Sequence, residues 1–324
     1  MKFLFRLKLF IVSLIVILFL SWLQITQPLV FPSSSNKFPL PSSSKLKDYV
    51  KSISKDYFPR DYNSPDNLEK LAYFIKDEFS NSTRNVELQT YKINGTNYHN
   101  VIATFGPENS DKIIVGAHYD TADKLPGADD NASGVAGLLV LANLLKDVEL
   151  STQVELVAFT LEEPPFFRTA DMGSARYVKF LQSNKTSVRM MFCLEMIGYF
   201  NDEEDSQNYL VTPMKLIYPD KGNFITIVAE LFDGKNVRAI KTAMKSANSL
   251  PVASINAPSF IPGLDFSDHL NFWNAGYPAV MITDTAFFRN DEYHLAGDTY
   301  DRLDYKRMSK VIQGVYASIL ELNS

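Results

Sequence analysis

At 324 residues the chain has room for a large core, and 46% hydrophobic with 21% charged residues describes an ordered globular protein, not a disordered one. A net charge of −5, with no basic stripe after the N-terminus, lacks the electrostatic footprint of a nucleic-acid binder. The single cysteine, Cys193 in the apolar run MMFCLEMIG, excludes an intrachain disulfide and cysteine-based zinc sites, so any metal must be held by His, Asp and Glu.

Residues 1–8 (MKFLFRLK) carry the positive charges Lys2, Arg6 and Lys8, and residues 9–23 are uncharged and almost wholly apolar. This pattern predicts a signal anchor over 1–31, with a cleaved signal peptide as the alternative. Positive charge ahead of the apolar run keeps the N-terminus cytoplasmic and the remainder outside, membrane-anchored, or secreted if the segment is cleaved. Residues 32–44 (PSSSNKFPLPSSS) read as a Pro/Ser linker, and 45–324 as one globular domain.

Within that domain a helix is expected at 66–79, where Leu68, Leu71, Ile75 and Phe79 share one stripe. Strands are expected at 86–91, 100–105 and 112–117, then a buried helix at 133–146 and a strand at 154–160 closed by Pro164 and Pro165. A helix at about 173–181 and a strand at 190–197 carrying Glu195 follow. Residues 201–208 read as an acidic surface loop, 224–232 and 237–244 as helices, 279–283 as a strand and 305–322 as a closing helix. Strands alternating with helices predict a single α/β domain, its mostly parallel mixed central sheet flanked by helices on both faces.

The chain is organised around KIIVGAHYDTADKLPGADDNASGVAG at 112–137. It reads as strand, loop and helix, with polar groups gathered where the strand ends, the place where open α/β sheets bind ligands. Strand alternation puts His118 and Asp120 on one face, so the Asp120 carboxylate is expected to take one imidazole nitrogen and leave the other for a metal. At other strand ends stand Asp129/Asp130, Glu162/Glu163 and Glu195, with Tyr293 and His294 in a late loop. A carboxylate inside MMFCLEMIGYF is costly to bury without positive charge, and a cation is the economical partner for Glu195. Two histidines with several carboxylates suit a two-metal hydrolytic site, with zinc the default and manganese or cobalt as substitutes.

The stretches GAHYD (116–120), PGADDNASG (126–134), LEEPPFF (161–167), MGSARY (172–177), LEMIGYF (194–200), FSDHLNFWNAGYPAVMITDT (266–285) and YHLAGDT (293–299) resemble the co-catalytic di-zinc aminopeptidases. That metallopeptidase family includes bacterial leucyl aminopeptidases, glutamate carboxypeptidase and the glutaminyl cyclases, and the likeness covers roughly residues 65–322 in the family's order. The resemblance implies a zinc exopeptidase acting on a peptide with a free N-terminus. It implies His118, Asp130, Glu163, Glu195 and His294 as metal ligands, with Asp130 bridging two zinc ions, Asp120 orienting His118, Glu162 as general base and Tyr293 as oxyanion donor. Glu195 departs from the family, where the matching residue is usually aspartate.

Two other readings share the framework: a glutaminyl cyclase-like acyltransferase using one zinc, and a metal-free receptor-like ectodomain. Retention of both histidines with Asp130, Glu162 and Glu163 favours the peptidase. Ser267-Asp268-His269 resembles a fragment of a serine triad, but adjacent residues cannot adopt that geometry, and the segment is expected in the site wall. Asn81, Asn94, Asn131 and Asn184 match glycosylation sequons. The pairs Phe166-Phe167 and Phe287-Phe288 fit either an apolar pocket or plain core.

Overall fold

The computed structural model describes residues 2–31, 38–108 and 111–323; residues 32–37 of the expected linker lie outside this range. Helix α1 (Lys2–Thr26) takes up the apolar N-terminal run, and its span Phe3–Gln24 is long and apolar enough to cross a membrane. Helix α2 (Ser43–Lys51), capped by the Ser42 hydroxyl, begins inside the serine run expected as linker. Helix α3 (Pro65–Ser80) buries the predicted stripe of Leu68, Leu71, Ile75 and Phe79.

Strands β1 (Val86–Ile93) and β2 (Thr96–Phe105) form an antiparallel hairpin. Its two-residue turn is Asn94-Gly95, with φ of 49° and 90°, the pairing that matches right-handed strand twist. Then come β3 (Lys112–His118), α4 (Gly134–Leu145), β4 (Gln153–Phe159), α5 (Gly173–Ser183) and β5 (Val188–Leu194). The remainder is β6 (Ile225–Glu230), α6 (Gly234–Ala247), β7 (Val252–Ala257), α7 (His269–Asn274), β8 (Ala279–Thr283) and α8 (Tyr305–Asn323). All eight strands join one mixed sheet in the order β1-β2-β4-β3-β5-β8-β6-β7.

Side-chain alternation sorts the two faces. On β3, Ile113 and Val115 belong to one core cluster with Leu68 of α3, Leu138 of α4, Ile240 of α6 and Ile312 of α8, while Ile114 belongs to a second with Leu181 of α5 and Phe272 of α7. Strands β4, β3, β5 and β8 are mutually parallel neighbours, so their C-terminal ends emerge along one edge of the sheet.

Besides helices α2 and α7, which were not anticipated, two strands differ from expectation. Residues 224–232 contain strand β6, not a helix: ITIVA is short, buried and rich in β-branched residues, and such a run has no period that separates strand from helix. Strand β7 was not anticipated, because buried Ser254 and Asn256 interrupt its apolar contrast.

Strand β3 admits no side chain at Gly116. A Cβ there would run into the ring of Phe159 and lie 3.1 Å from Met191 Cε, both fully buried. Replacing Gly116 by alanine should destabilise the fold by about 1–3 kcal/mol, the usual cost of overpacking. Urea unfolding would show it as a lower midpoint at unchanged slope; an unaltered midpoint would mean that the Phe159 ring yields.

Candidate metal centre

His118 is the last residue of β3, Glu162 and Glu163 follow β4, and Glu195 follows β5, so parallel pairing alone brings them to one edge. Asp130 enters from the loop that opens α4, and His294 from the loop after β8, with a left-handed φ of 54°. The structure thus gathers all five predicted ligands and Glu162 into one cluster, buried except for the partly exposed His294.

The distances have a pattern. His118 Nε2 lies 3.3 Å from Asp130 Oδ1 and 3.4 Å from Glu195 Oε2. His294 Nε2 lies 3.0 Å from Asp130 Oδ2 and 3.2 Å from Glu163 Oε1. The two Asp130 oxygens therefore face one histidine each. With metal–ligand bonds of 2.0–2.1 Å, the edge of a tetrahedral zinc site is about 3.3 Å, which these separations match. Among the described residues the donor atoms of His118, Asp130 and Glu195, and those of Asp130, Glu163 and His294, lie within 4.8 Å of one another. No lysine or arginine among the described residues pairs with Asp130, Glu162, Glu163 or Glu195. Buried carboxylates crowded together without a cationic side chain fit a divalent cation.

Burial pushes the Glu162 carboxyl well above the usual range; His118 opposes this, while Glu163 and Glu195 reinforce it. Burial also raises Glu163 to about 7 and moves Glu195 upward. Burial disfavours the charge on His118, but Glu195 and Glu162 outweigh it and hold the imidazole well above its ordinary value. Glu162 Oε2 is 4.0 Å from His118 Nε2, farther than the ligand contacts. It also falls in a group with His118 and Glu163 whose donor atoms lie within 4.8 Å. Tyr293 stacks on His294 with ring centroids 3.9 Å apart.

Asp120 acts differently from expectation. Its carboxylate is 3.6 Å from His118 Nδ1, too far for a hydrogen bond, and the Asp120 backbone carbonyl accepts that N–H at 3.2 Å instead. The carboxylate accepts the backbone N–H groups of Glu162 at 3.1 Å and Glu163 at 3.0 Å. Asp120 therefore fixes the imidazole through its backbone and the glutamate pair through its side chain.

Asp129 turns away from the cluster and accepts from Gly198 N at 2.9 Å and Asn290 Nδ2 at 3.3 Å. Asn131 ties the Asp130 loop to Glu195. Its Nδ2 donates to Leu194 O at 2.8 Å and Glu195 Oε2 at 3.3 Å, while its Oδ1 accepts from Gly134 N and Met196 N. Fully buried and bonded at both ends, Asn131 offers no amide for a glycan. Ser267 donates to Glu195 Oε2 at 2.6 Å, which puts that segment in the site wall.

Two residues were not foreseen. Arg60, fully buried, donates to the carbonyls of Tyr119, Pro126 and Gly127 and so clamps the loop on both sides of Asp120. Asp298 accepts the backbone N–H groups of Asp129 and Asp130 at 3.0–3.1 Å. Asp298 lies in YHLAGDT, but nothing local signals its role; Arg60 has no sequence signal at all.

An apolar cavity of about 460 Å³ opens beside the cluster. Glu195 and Tyr293 form its polar end, and Leu264, Phe266, Met281, Phe287 and Phe288 line its wall. Phe166, by contrast, packs against the core beside Tyr62 and Tyr98.

Comparison with known proteins gives one family model, described as Peptidase family M28, over residues 100–319. The uncharacterized protein YfbL of Escherichia coli is 48% identical over 282 residues, 85% of this chain and 86% of the relative. The probable aminopeptidase YDR415C of Saccharomyces cerevisiae is 27% identical over 319 residues, 90% of this chain and 78% of the relative. Among solved structures, BSAP, a zinc aminopeptidase from Bacillus subtilis, superposes with a TM-score of 0.70 at 16% identity, covering 88% of this chain and 96% of that one. At that identity the likeness is one of fold.

Two expectations follow from the site. Replacing Asp298 by alanine strands the buried N–H groups of Asp129 and Asp130, so zinc affinity, read by competition with a chelator, should fall about 10–100-fold; unchanged affinity would remove Asp298 from the support of the centre. The second concerns pH. Burial, then Asp130, raises Glu163 from 4.5 to about 7 in the folded state. Burial opposes the charge on His294, yet Asp130 and Glu163 raise it from 6.5 to about 10. Both groups bind more protons folded than unfolded, so their contribution is present at low pH and is lost as pH rises through 4.5–7 and 6.5–10. The metal-free protein should therefore lose urea resistance between about pH 5 and 10, and zinc, which takes deprotonated donors, should restore it. Stability that climbs across this window would contradict the cluster.

Proposed function

Because the chain belongs to peptidase family M28, we propose that it is an aminopeptidase that removes apolar residues from the N-terminus of peptides at a membrane surface. It is a metallopeptidase, a zinc-dependent exopeptidase. The observation that carries the finer reading is Asp130, one carboxylate facing a histidine with each oxygen. That arrangement supports two metals, where a single-zinc cyclase needs one.

His118, Asp130 and Glu195 would hold one zinc, and Asp130, Glu163 and His294 a second, with manganese or cobalt as substitutes. Bound there, the pair lowers the pKa of a water toward neutrality and polarises the scissile carbonyl. Glu162 is the general base: its buried carboxylate takes the proton as the water oxygen attacks the carbonyl carbon. As the C–N bond breaks, Glu162 returns that proton to the leaving amine. Asp120 holds Glu162 in place through its backbone N–H. The Tyr293 hydroxyl would donate to the oxyanion, its ring fixed by stacking on His294. The apolar cavity beside Glu195 and Tyr293 supports an apolar first residue, its side chain seated among Phe266, Phe287 and Met281. The apolar span of α1, preceded by Lys2, Arg6 and Lys8, supports an uncleaved anchor with the catalytic domain on the extracytoplasmic side.

Metal content and hydrolysis of leucyl, phenylalanyl, alanyl and aspartyl anilides by the full chain test this reading against a Glu162→Gln variant. Expected are near two zinc ions per chain and fastest turnover of the leucyl and phenylalanyl substrates. The variant should keep its metal and lose about 10²–10⁴-fold in rate. One zinc with cyclisation of N-terminal glutamine would transfer the protein to the acyltransferase reading. Failure to retain zinc after reconstitution would sink both.

A further inference from the structure

Beyond the catalytic cluster, the mouth of the apolar cavity carries large side chains left exposed among the described residues. Phe260 is 84% exposed, and Val211 and Leu210, which line the same mouth, are about half exposed. The short turn Thr212–Leu216 sends Met214 into the cavity and leaves Leu216 89% exposed. Scattered exposed apolar residues are ordinary; a contiguous group at the lip of a binding cavity marks a surface that meets something apolar.

The same corner receives the end of α1. That helix packs its last turns against β7, the edge strand of the sheet, and against α6. With its amide oxygen turned toward it, Gln24 accepts hydrogen bonds from the Arg238 guanidinium. Gln27, just past the helix, lies beside Tyr218. Tyr218 lines the cavity and donates to Ser254 O on β7 at 2.9 Å. One side chain thus separates the end of the apolar span from the cavity mouth. Leu29 and Phe31, immediately after the span, are also exposed. Helix α6 beside it carries no acid and exposes Lys235 and Arg238, with Lys245 partly exposed, while Lys241 is buried and donates to Ser254 Oγ. Cations next to apolar side chains suit the boundary where lipid phosphates overlie acyl chains.

We infer that Leu210, Val211, Leu216 and Phe260 seat the catalytic domain on the bilayer that α1 crosses, with the cavity mouth at headgroup level. This rests on the reading of α1 as an anchor. A peptide whose apolar N-terminal residue partitions into the interface then enters the cavity from the membrane side, and the substrates favoured are membrane-associated peptides.

The test uses the full chain in vesicles of phosphatidylcholine with a minority of phosphatidylglycerol. Leu29→Cys, Leu216→Cys, Phe260→Cys and Tyr73→Cys variants each carry a polarity-sensitive dye; native Cys193 is buried. Tyr73, partly exposed on α3, packs toward β2, at the far side of the sheet from β7. With nitroxide-bearing lipids, dyes at 29, 216 and 260 should lose most of their emission and the dye at 73 should keep it. Quenching at 29 alone, with 216 and 260 behaving like 73, would overturn the seating and leave the anchor standing. If position 29 is unquenched and the chain does not float with vesicles, the anchor reading fails and takes the seating with it. A functional arm uses Leu216→Asp, which lies outside the cavity lining. It should leave hydrolysis of soluble leucyl anilide unchanged and lower, several-fold, hydrolysis of a vesicle-bound peptide with an acylated C-terminus. Equal rates on the vesicle-bound peptide would count against the seating.

Discussion

The site depends on keeping like charges together out of water. Asp130, Glu162, Glu163 and Glu195 are each at most 6% exposed, and among the described residues no lysine or arginine makes a salt bridge to their carboxylates, the nearby Arg60 guanidinium donating to backbone carbonyls instead. Carboxylates so placed protonate or separate unless something else holds them. The fold supplies that restraint through the backbone: three parallel strands end side by side, and the carboxylates leave from their ends. A sheet cannot spread its strand ends without breaking ladder hydrogen bonds across the core, so repulsion in the cluster is borne by the whole domain.

The restraint continues one layer out, where the partners are mostly backbone groups. Asp120 grips two backbone N–H groups of the glutamate pair, Asp298 those of Asp129 and Asp130, and Arg60 the carbonyls on either side of the histidine loop. A side chain held by backbone is insensitive to the rotamers of its neighbours, which suits a centre that must be formed before metal arrives. Asn131 performs the same task between two donors: one amide joins the loop of Asp130 to the turn of Glu195 and sets their separation.

This division explains what could be read from the chain alone. Apolar runs followed at once by polar clusters exposed β3, β4 and β5 and the groups at their ends, because burial and chemistry there alternate along the sequence. The choice between Asp129 and Asp130 had no local basis; it turns on which carboxylate the loop rotates inward, and resemblance alone pointed to Asp130. Arg60 and Asp298 were invisible for a related reason. They act on backbone groups roughly 60 and 170 positions away, and a backbone group leaves no mark in a sequence. Strand β6 was misread since a buried ITIVA run satisfies helix and strand alike until its neighbours β7 and β8 are known.

Glu195 shows how a longer side chain is accommodated. Strand β5 stops at Leu194, and Met196 turns with a left-handed φ of 50°, so the residue between them projects from a sharp corner. An unrestrained glutamate there has an extra rotatable bond and would sample positions away from His118. Ser267 at 2.6 Å and Asn131 at 3.3 Å both donate to Oε2, the oxygen that faces His118 at 3.4 Å. Two donors on one oxygen remove the added freedom, so the glutamate is as fixed as a shorter carboxylate. The same carboxylate borders the apolar cavity, so in the proposed aminopeptidase its position would set how deeply the first residue of a peptide enters. Glu195, the residue that departs from the family pattern, thus stands both in the carboxylate cluster and, with Tyr293, at the edge of the cavity.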